Sequence, residues 1–155
     1  MNGGSVGSEE AEVLEIERRV QAQPEAVFEY FTDPAKMTRW VGTDVMLDSR
    51  PGGAFRINVT AFHTARGHFV EVTPYSRIVM AWGWDDGPFT PGSTRVEVDF
   101  IPDGEATIIR LRHSGLDVDG RTSHRQGWEH YLGRLVVAGS GGDAGVDPWF
   151  DSPPA

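Results

Sequence analysis

Six short segments between residues 43 and 113 alternate apolar and polar side chains with a period of two. They span residues 45–47, 54–62, 66–73, 77–84, 94–101 and 106–113. The breaks between them are rich in Gly, Pro, Asp and Ser, as in Pro102, Asp103 and Gly104, and such residues favour tight turns. Consecutive strands joined by short turns predict an antiparallel meander, and this feature constrains the fold more than any other.

Helices are predicted on both sides of the meander. A first strand at residues 13–20 is followed by Pro24, which suits a first helical turn, and by an apolar stripe that ends at Phe31. Asp33 and Pro34 then start a second short helix that ends near Trp40. After the last strand, residues 122–138 place Trp128, Leu132 and Leu135 at helical spacing, which predicts an amphipathic helix of about four turns.

The order of elements predicts an α+β fold. About seven antiparallel strands form a sheet with one apolar face, and the last helix is the only element long enough to cover it. Residues 12–138 are therefore expected to form one domain, with a flexible tail at 1–11 and a Gly- and Pro-rich tail at 139–155. Trp149 and Phe150 are unusual in such a tail, and we expect them either to dock on the body or to contact a partner.

Composition excludes several classes of function. The absence of Cys excludes disulfides and zinc-thiolate sites, and a net charge of -9 argues against nucleic-acid binding. No apolar run approaches the ~20 residues needed to span a bilayer, and the acidic start is not a secretory signal. We therefore expect a cytoplasmic protein with no membrane contact.

Alternation along the strands separates an apolar face from a charged face. The expected inward set is Phe55, Ile57, Val59, Ala61, His68, Val70, Val72, Ile78, Met80, Trp82, Trp84, Val96, Val98, Phe100, Ile109, Leu111 and His113. The expected outward set is Arg56, Asn58, Phe69, Glu71, Arg95, Glu97, Asp99, Arg110 and Arg112. An inward face rich in aromatics with a few polar points is typical of a small-molecule pocket.

Several stretches together resemble a known family. These are PEAVFEYFTDPAKMTRWVG, RPGGAFRINV, GHFVEVTPYSRIVMAWGW, STRVEVDFIPDGEATIIRLRHSGL and GWEHYLGRL. In this order they resemble the activator of heat shock protein 90 ATPase homologue domain, of the C-terminal type, which belongs to the START and polyketide-cyclase-like (SRPBCC) superfamily. The resemblance implies a helix-grip fold, in which a curved sheet wraps around a long C-terminal helix and leaves a ligand cavity between them.

The resemblance also implies roles for single positions. Trp40, the Gly52 and Gly53 turn, Trp82, His113 and Trp128 match family positions that shape the cavity and its rim, and none of them is a universal catalytic residue. Only 12 residues precede the first strand, with no room for the separate domain that contacts the chaperone in the eukaryotic co-chaperone. A chaperone partner is therefore not expected.

Two histidines are candidates for acid or base chemistry. His68 and His113 are both assigned to the inward face, and an imidazole titrates near neutral pH. A hydrogen-bonded structural role is the competing interpretation for each. The spacing of the five histidines does not predict a metal site, and no cofactor is expected.

The leading functional hypothesis is a protein that binds a small hydrophobic or aromatic ligand between the sheet and the last helix, as a monomer or weak homodimer. The alternatives are a cyclase- or hydrolase-like enzyme that uses the same cavity, and a chaperone-associated interaction module. The predicted cavity residues are Trp40, Phe55, Ile57, His68, Val70, Met80, Trp82, Trp84, Val98, Phe100, Leu111, His113, Trp128, Tyr131 and Leu132.

Overall fold

The computed structural model describes residues 13–154. Its elements, in chain order, are β1 (Leu14–Val20), α1 (Pro24–Thr32), α2 (Pro34–Met37), β2 (Val45–Leu47), β3 (Ala54–Asn58), β4 (Thr64–Thr73), β5 (Arg77–Trp84), β6 (Thr94–Asp103), β7 (Ala106–Ser114) and α3 (Val118–Gly139). The expected tail at residues 1–11 lies outside the described residues. No helix within the described range is long and apolar enough to cross a membrane.

The seven strands form one antiparallel sheet in the order β1-β7-β6-β5-β4-β3-β2. From β2 to β7 each strand pairs with the next in sequence, which is the predicted meander, and β1 then joins the far edge by pairing with β7. The predicted fold class is confirmed: two short helices follow the first strand, and a long helix follows the last.

Local sequence explains where the helices begin. Pro24 occupies the first turn of α1, where its missing N–H is not needed, and the Asp33 side chain accepts a hydrogen bond from the Ala35 N–H at the start of α2. Asp117 caps α3 by accepting from the Gly120 N–H at 2.7 Å. Because of this cap, α3 begins at Val118 and is a turn longer than the predicted helix.

Helix α3 closes the apolar face of the sheet. Its backbone lies close to β1 and α1. Leu132 and Leu135 on its inner side are fully buried, together with Phe55, Val98 and Leu111 of the sheet. One continuous hydrophobic core results, and the helix is farther from the central strands than from β1.

Strand β4 corrects part of the predicted inward face. His68 and Val70 lie on the outer face and are exposed, whereas Phe69 is fully buried. The register shifts between Phe69 and Glu71, so a bulge restores Val72 to the inner side. The alternation rule was wrong here because it extended the phase of Val72 backwards across this bulge.

Strand β3 is shorter than predicted. It ends at Asn58, and a turn follows in which the Thr60 hydroxyl accepts a hydrogen bond from the Phe62 N–H. Ala61, which was expected to face inward, is exposed in this turn. The next strand begins at Thr64, and between the two strands Val59 and Thr60 are buried whereas Ala61, Phe62 and His63 are exposed.

The outer face carries the charged residues that alternation predicted. The Arg77 guanidinium contacts Glu71, Glu97 and Asp99 at 3.3, 2.8 and 2.9 Å. Burial opposes charge on Glu97, but hydrogen bonds from Arg77 and Arg95 lower the pKa of its carboxyl overall. These ion pairs tie neighbouring strands together on the side of the sheet away from α3.

Candidate functional site

A cavity of about 370 Å³ lies between α3 and the central strands. Its sheet wall comes from β3, the first residue of β4, β5 and β6. Its helical walls come from the α1–α2 region and α3, and its remaining wall from the C-terminal residues. The lining residues are Phe31, Met37, Trp40, Val41, Ile57, Val59, Thr60, His63, Thr64, Met80, Trp82, Trp84, Asp86, Val96, Val98, Ser123, His124, Gln126, Gly127, Trp128, Tyr131, Trp149, Pro153 and Pro154.

Trp82 is the centre of the aromatic wall. Its ring lies 5.4 Å from Trp128 and 5.9 Å from Trp84, measured between ring centroids, and it also packs on Phe55 at 5.4 Å. These tilted and edge-on arrangements are the favoured geometries for aromatic pairs. The cavity wall is therefore an interlocked set of rings and not a row of independent side chains.

His113 anchors this wall from behind. It does not line the cavity, and it is fully buried. The Trp128 indole N–H donates to its Nδ1 at 3.0 Å, and its Nε2 lies 2.9 Å from the Thr94 hydroxyl. Because that hydroxyl donates to the Trp82 carbonyl at 2.7 Å, His113 must donate from Nε2 and accept at Nδ1. Burial also lowers its pKa well below the ordinary value, which keeps the ring neutral.

His124 makes a similar contact on the cavity side. It lies in α3, and its Nε2 accepts the indole N–H of Trp84 at 3.0 Å. Its Nδ1 lies 2.7 Å from the Gly120 carbonyl, to which it donates. Burial lowers the pKa of His124, so this ring is also neutral near pH 7. Both nitrogens are occupied, and the side chain orients Trp84.

The last twelve described residues form part of the cavity. This C-terminal strap, residues 143–154, returns from the end of α3 and places Trp149, Pro153 and Pro154 in the lining. Trp149 stacks on His130 with ring centroids 3.7 Å apart and planes 9° apart. Residues 139–155 were expected to form a tail whose Trp149 and Phe150 dock on the body or contact a partner, and Trp149 packs against the hydrophobic core.

Asp147 fastens the strap to α3. Its carboxylate lies 2.8 Å from His130 Nε2 and accepts from the Tyr131 hydroxyl at 2.7 Å. Burial would raise the pKa of Asp147, but hydrogen bonds from His130, the Trp149 N–H and Tyr131 lower it overall. Arg134 adds a second fastening, because its guanidinium donates to the carbonyls of Ala144 and Gly145.

The predicted cavity residues fall into three groups. Those that line the cavity are Trp40, Ile57, Met80, Trp82, Trp84, Val98, Trp128 and Tyr131. Those that are buried behind it are Phe55, Phe100, Leu111, His113 and Leu132. His68 and Val70 point away from it on the outer face.

Sequence reasoning missed several lining residues, among them Phe31, Met37 and Val41 of the α1–α2 region, His124 of α3 and the residues of the strap. His124 lies one helical turn before Trp128, so i, i+4 spacing on α3 could have identified it. Trp149, Pro153 and Pro154 of the strap could not be placed from spacing, because a segment without periodicity gives no direction. Among the described residues, no cluster of His, Asp and Glu is arranged to hold a metal ion.

The chain matches one protein family over most of its length. Residues 21–139 match the family described as Activator of Hsp90 ATPase homolog 1-like protein. A solution structure of an AHSA1-like protein from Rhizobium etli is 42% identical, with a TM-score of 0.72, over 92% of this chain and 91% of that one. No match is found among curated proteins.

More distant structures share the fold. DynU16, a protein of the dynemicin biosynthetic locus, has a TM-score of 0.74 at 21% identity over 86% of this chain, which spans only 49% of DynU16. An Hsp90 activator from Plasmodium falciparum has a TM-score of 0.69 at 24% identity, over 82% of this chain and 95% of that one. With the family match, these similarities confirm the helix-grip fold of the START and polyketide-cyclase-like superfamily, and the chain belongs to the Activator of Hsp90 ATPase homolog 1-like family.

Proposed function

We propose that this protein binds one small, apolar, uncharged molecule in the cavity between α3 and the sheet. The observation that carries the proposal is the cavity itself, a space of about 370 Å³ inside an otherwise continuous hydrophobic core. Small-molecule sites usually fall between ~300 and ~1,000 Å³ and have mostly apolar and aromatic walls. A space of this size suits one compact ligand.

The charges around the cavity favour a neutral ligand. The ionisable lining residues are His63, Asp86, His124 and Tyr131, and no Lys or Arg is among them. His63 and Asp86 are exposed at the rim, and burial lowers the pKa of His124 so that it stays neutral. Burial and the nearby Asp147 raise the pKa of Tyr131, which keeps the phenol protonated. Because the only carboxylate of the lining, Asp86, is exposed at the rim, a charged group inside the cavity would lose its hydration without gaining a buried ion pair.

The two histidines suggested as proton carriers for the enzymatic alternative do not line the cavity. His68 is exposed on the opposite face of the sheet. His113 lies behind the wall with both ring nitrogens engaged and a lowered pKa. A general base needs to reach the proton that it removes, and neither residue lines the cavity. Binding without chemistry accounts better for this arrangement.

A variant that fills the cavity tests the proposal. Val98 is fully buried on β6 and lines the cavity, so Val98→Trp should place an indole in the empty space. We expect the fluorescence enhancement of the neutral probe N-phenyl-1-naphthylamine to appear with the native protein and to be lost in the variant. The melting temperature should change only modestly, because the added ring occupies space and does not overpack a filled core.

The matched control is Val118→Trp, which adds the same side chain at a position that is 67% exposed at the start of α3. This variant should bind the probe as the native protein does. Equal probe binding by Val98→Trp and Val118→Trp would show that the probe does not occupy the cavity. Extensive unfolding of Val98→Trp would show that there is no space to fill.

A further inference from the structure

The indole N–H of Trp82 has no hydrogen-bond partner. Among the described residues it is the one buried side-chain nitrogen or oxygen left in this state. The other indoles of the sheet and helix walls are paired: Trp40 donates to the Tyr30 carbonyl at 2.8 Å, Trp84 to His124 at 3.0 Å and Trp128 to His113 at 3.0 Å. Trp82 is the exception, and it lies at the centre of the cavity wall.

The neighbours of Trp82 offer its N–H nothing to donate to. Its ring packs against Phe55, Trp84 and Trp128, whose side chains carry no free acceptor. The nearby Thr94 hydroxyl makes no hydrogen bond with this N–H, and the neighbouring ring of His113 has both nitrogens engaged with Trp128 and Thr94. A buried donor without a partner is costly, and native proteins keep few of them. The Trp82 nitrogen has almost no exposed surface in this structure, so a bound molecule that supplies an acceptor would remove that cost by drawing the indole N–H toward the cavity.

Bound water is a poor substitute at this position. A buried water molecule usually makes about three hydrogen bonds, and the ring neighbours of Trp82 provide none. A ligand oxygen needs only the one donor, because the rest of the ligand gains by packing on the rings. The unpaired indole N–H of Trp82 therefore favours a ligand that is apolar except for one hydrogen-bond acceptor.

The walls also indicate the shape of that molecule. Aromatic side chains contribute to every wall, including Phe31, Trp84, Trp128, Tyr131 and Trp149. Flat rings pack on such walls in offset or edge-on geometry. The missing Lys and Arg in the lining argue against a carboxylate or phosphate as the acceptor.

We propose, on the basis of the binding function above, that the ligand is a neutral, flat aromatic molecule whose carbonyl oxygen accepts the indole N–H of Trp82. The carbonyl fixes the orientation of the ligand, and the ring system fills the space between β5 and α3. Trp82 is then the residue that selects carbonyl-bearing aromatic compounds over aromatic hydrocarbons.

Two probes that differ only at the acceptor test this assignment. Fluorene and 9-fluorenone have the same flat ring system, with a methylene group in one and a carbonyl in the other. Each is titrated against the complex with N-phenyl-1-naphthylamine, and its dissociation constant is obtained from displacement. We expect 9-fluorenone to bind about twofold to tenfold more tightly, as one net hydrogen bond predicts. Without the hydrogen bond, the more polar ketone should bind more weakly than the hydrocarbon.

Two variants assign the preference to one indole. Trp82→Phe keeps an aromatic ring and removes the donor, so the preference for 9-fluorenone should disappear. Trp84→Phe is the matched control, because it removes an indole whose N–H is already paired with His124, and it should keep the preference. A preference that survives in Trp82→Phe would overturn the assignment.

A spectroscopic measurement on the native chain covers the case in which Trp82→Phe does not fold. With ¹⁵N-labelled indoles, the Trp82 N–H proton should move downfield on addition of 9-fluorenone but not of fluorene. Equal affinities and an unmoved Trp82 resonance would overturn the carbonyl assignment and leave the binding function standing. No displacement by either compound, and no binding of the naphthylamine probe, would refute both.

Discussion

His113 has both ring nitrogens committed to neighbours, and this decides what the residue does. It accepts from Trp128 and donates to Thr94, and its ring lies 4.8 Å from that of His124 between centroids. Protonation at Nδ1 would break the bond to Trp128 and place a charge in the core. The histidine that sequence analysis considered as a proton carrier is therefore a support for the cavity wall.

This burial predicts how stability depends on pH. The pKa of His113 is lowered by burial and by His124, and that of His124 is lowered by burial. Between the folded pKa and the ordinary value of 6.5, the unfolded chain binds more protons than the native one. Stability should be fully present above pH 6.5 and should fall as the pH drops below it, approaching about 1.4 kcal/mol per pH unit for each histidine.

Urea unfolding between pH 7.5 and 5 measures this slope. His113→Asn keeps an acceptor for the Trp128 N–H and cannot titrate, so it should flatten the slope by the contribution of one histidine. Val118→Asn changes an exposed position that carries no titratable side chain and should leave the slope unchanged. The same pH slope in His113→Asn and the native protein would contradict the neutral, buried state of His113.

At the scale of elements, the C-terminal strap behaves as part of the domain. Its contacts with α3 run through Asp147, Trp149 and the two carbonyls held by Arg134. It also contacts the turn after β3, where the Ala61 N–H donates to the Phe150 carbonyl at 2.8 Å. The strap thus connects α3 to the turn after β3, and it forms the remaining wall of the cavity itself.

Removal of the strap should cost both stability and binding. Deleting residues 143–155 exposes His130 and Tyr131 and removes three lining residues. We expect a loss of about 2 kcal/mol, which corresponds to a lower melting temperature by roughly 4–8 °C in a domain of this size. The affinity for N-phenyl-1-naphthylamine should fall severalfold.

Val146→Ala, at a strap position that is 93% exposed, should change neither the melting temperature nor the affinity for the probe. An unchanged melting temperature after truncation would mean that the strap is not docked.

The elements themselves were largely predictable, and the exceptions have physical causes. Period-two patterns and turn residues determine strands such as β6, where Val96, Val98 and Phe100 alternate with charged side chains. In β4 the inward positions include Ala65 and Gly67, which carry little apolar signal, and the bulge after Phe69 then shifts the phase. Alternation alone cannot detect an extra residue in a strand.

For the whole molecule, the fold determines where the cavity lies. Because α3 lies against β1 and α1, it leaves a gap over β3, β5 and β6. Side chains such as Trp82 and Trp128 only partly fill this gap. The sequence predicted the sheet and its covering helix, but the strap has no periodicity, so its wall of the cavity was not predictable.

Methyl NMR of the protein saturated with N-phenyl-1-naphthylamine tests the central claim most directly. We predict large chemical-shift changes at lining methyl groups of α2 and of the sheet, those of Met37, Ile57, Met80, Val96 and Val98. The methyl groups of Val70 and Val118, which lie on the outer face and at the start of α3, should not respond. Changes confined to Val70 and Val118, or spread evenly over all methyl groups, would contradict a binding site between the sheet and α3.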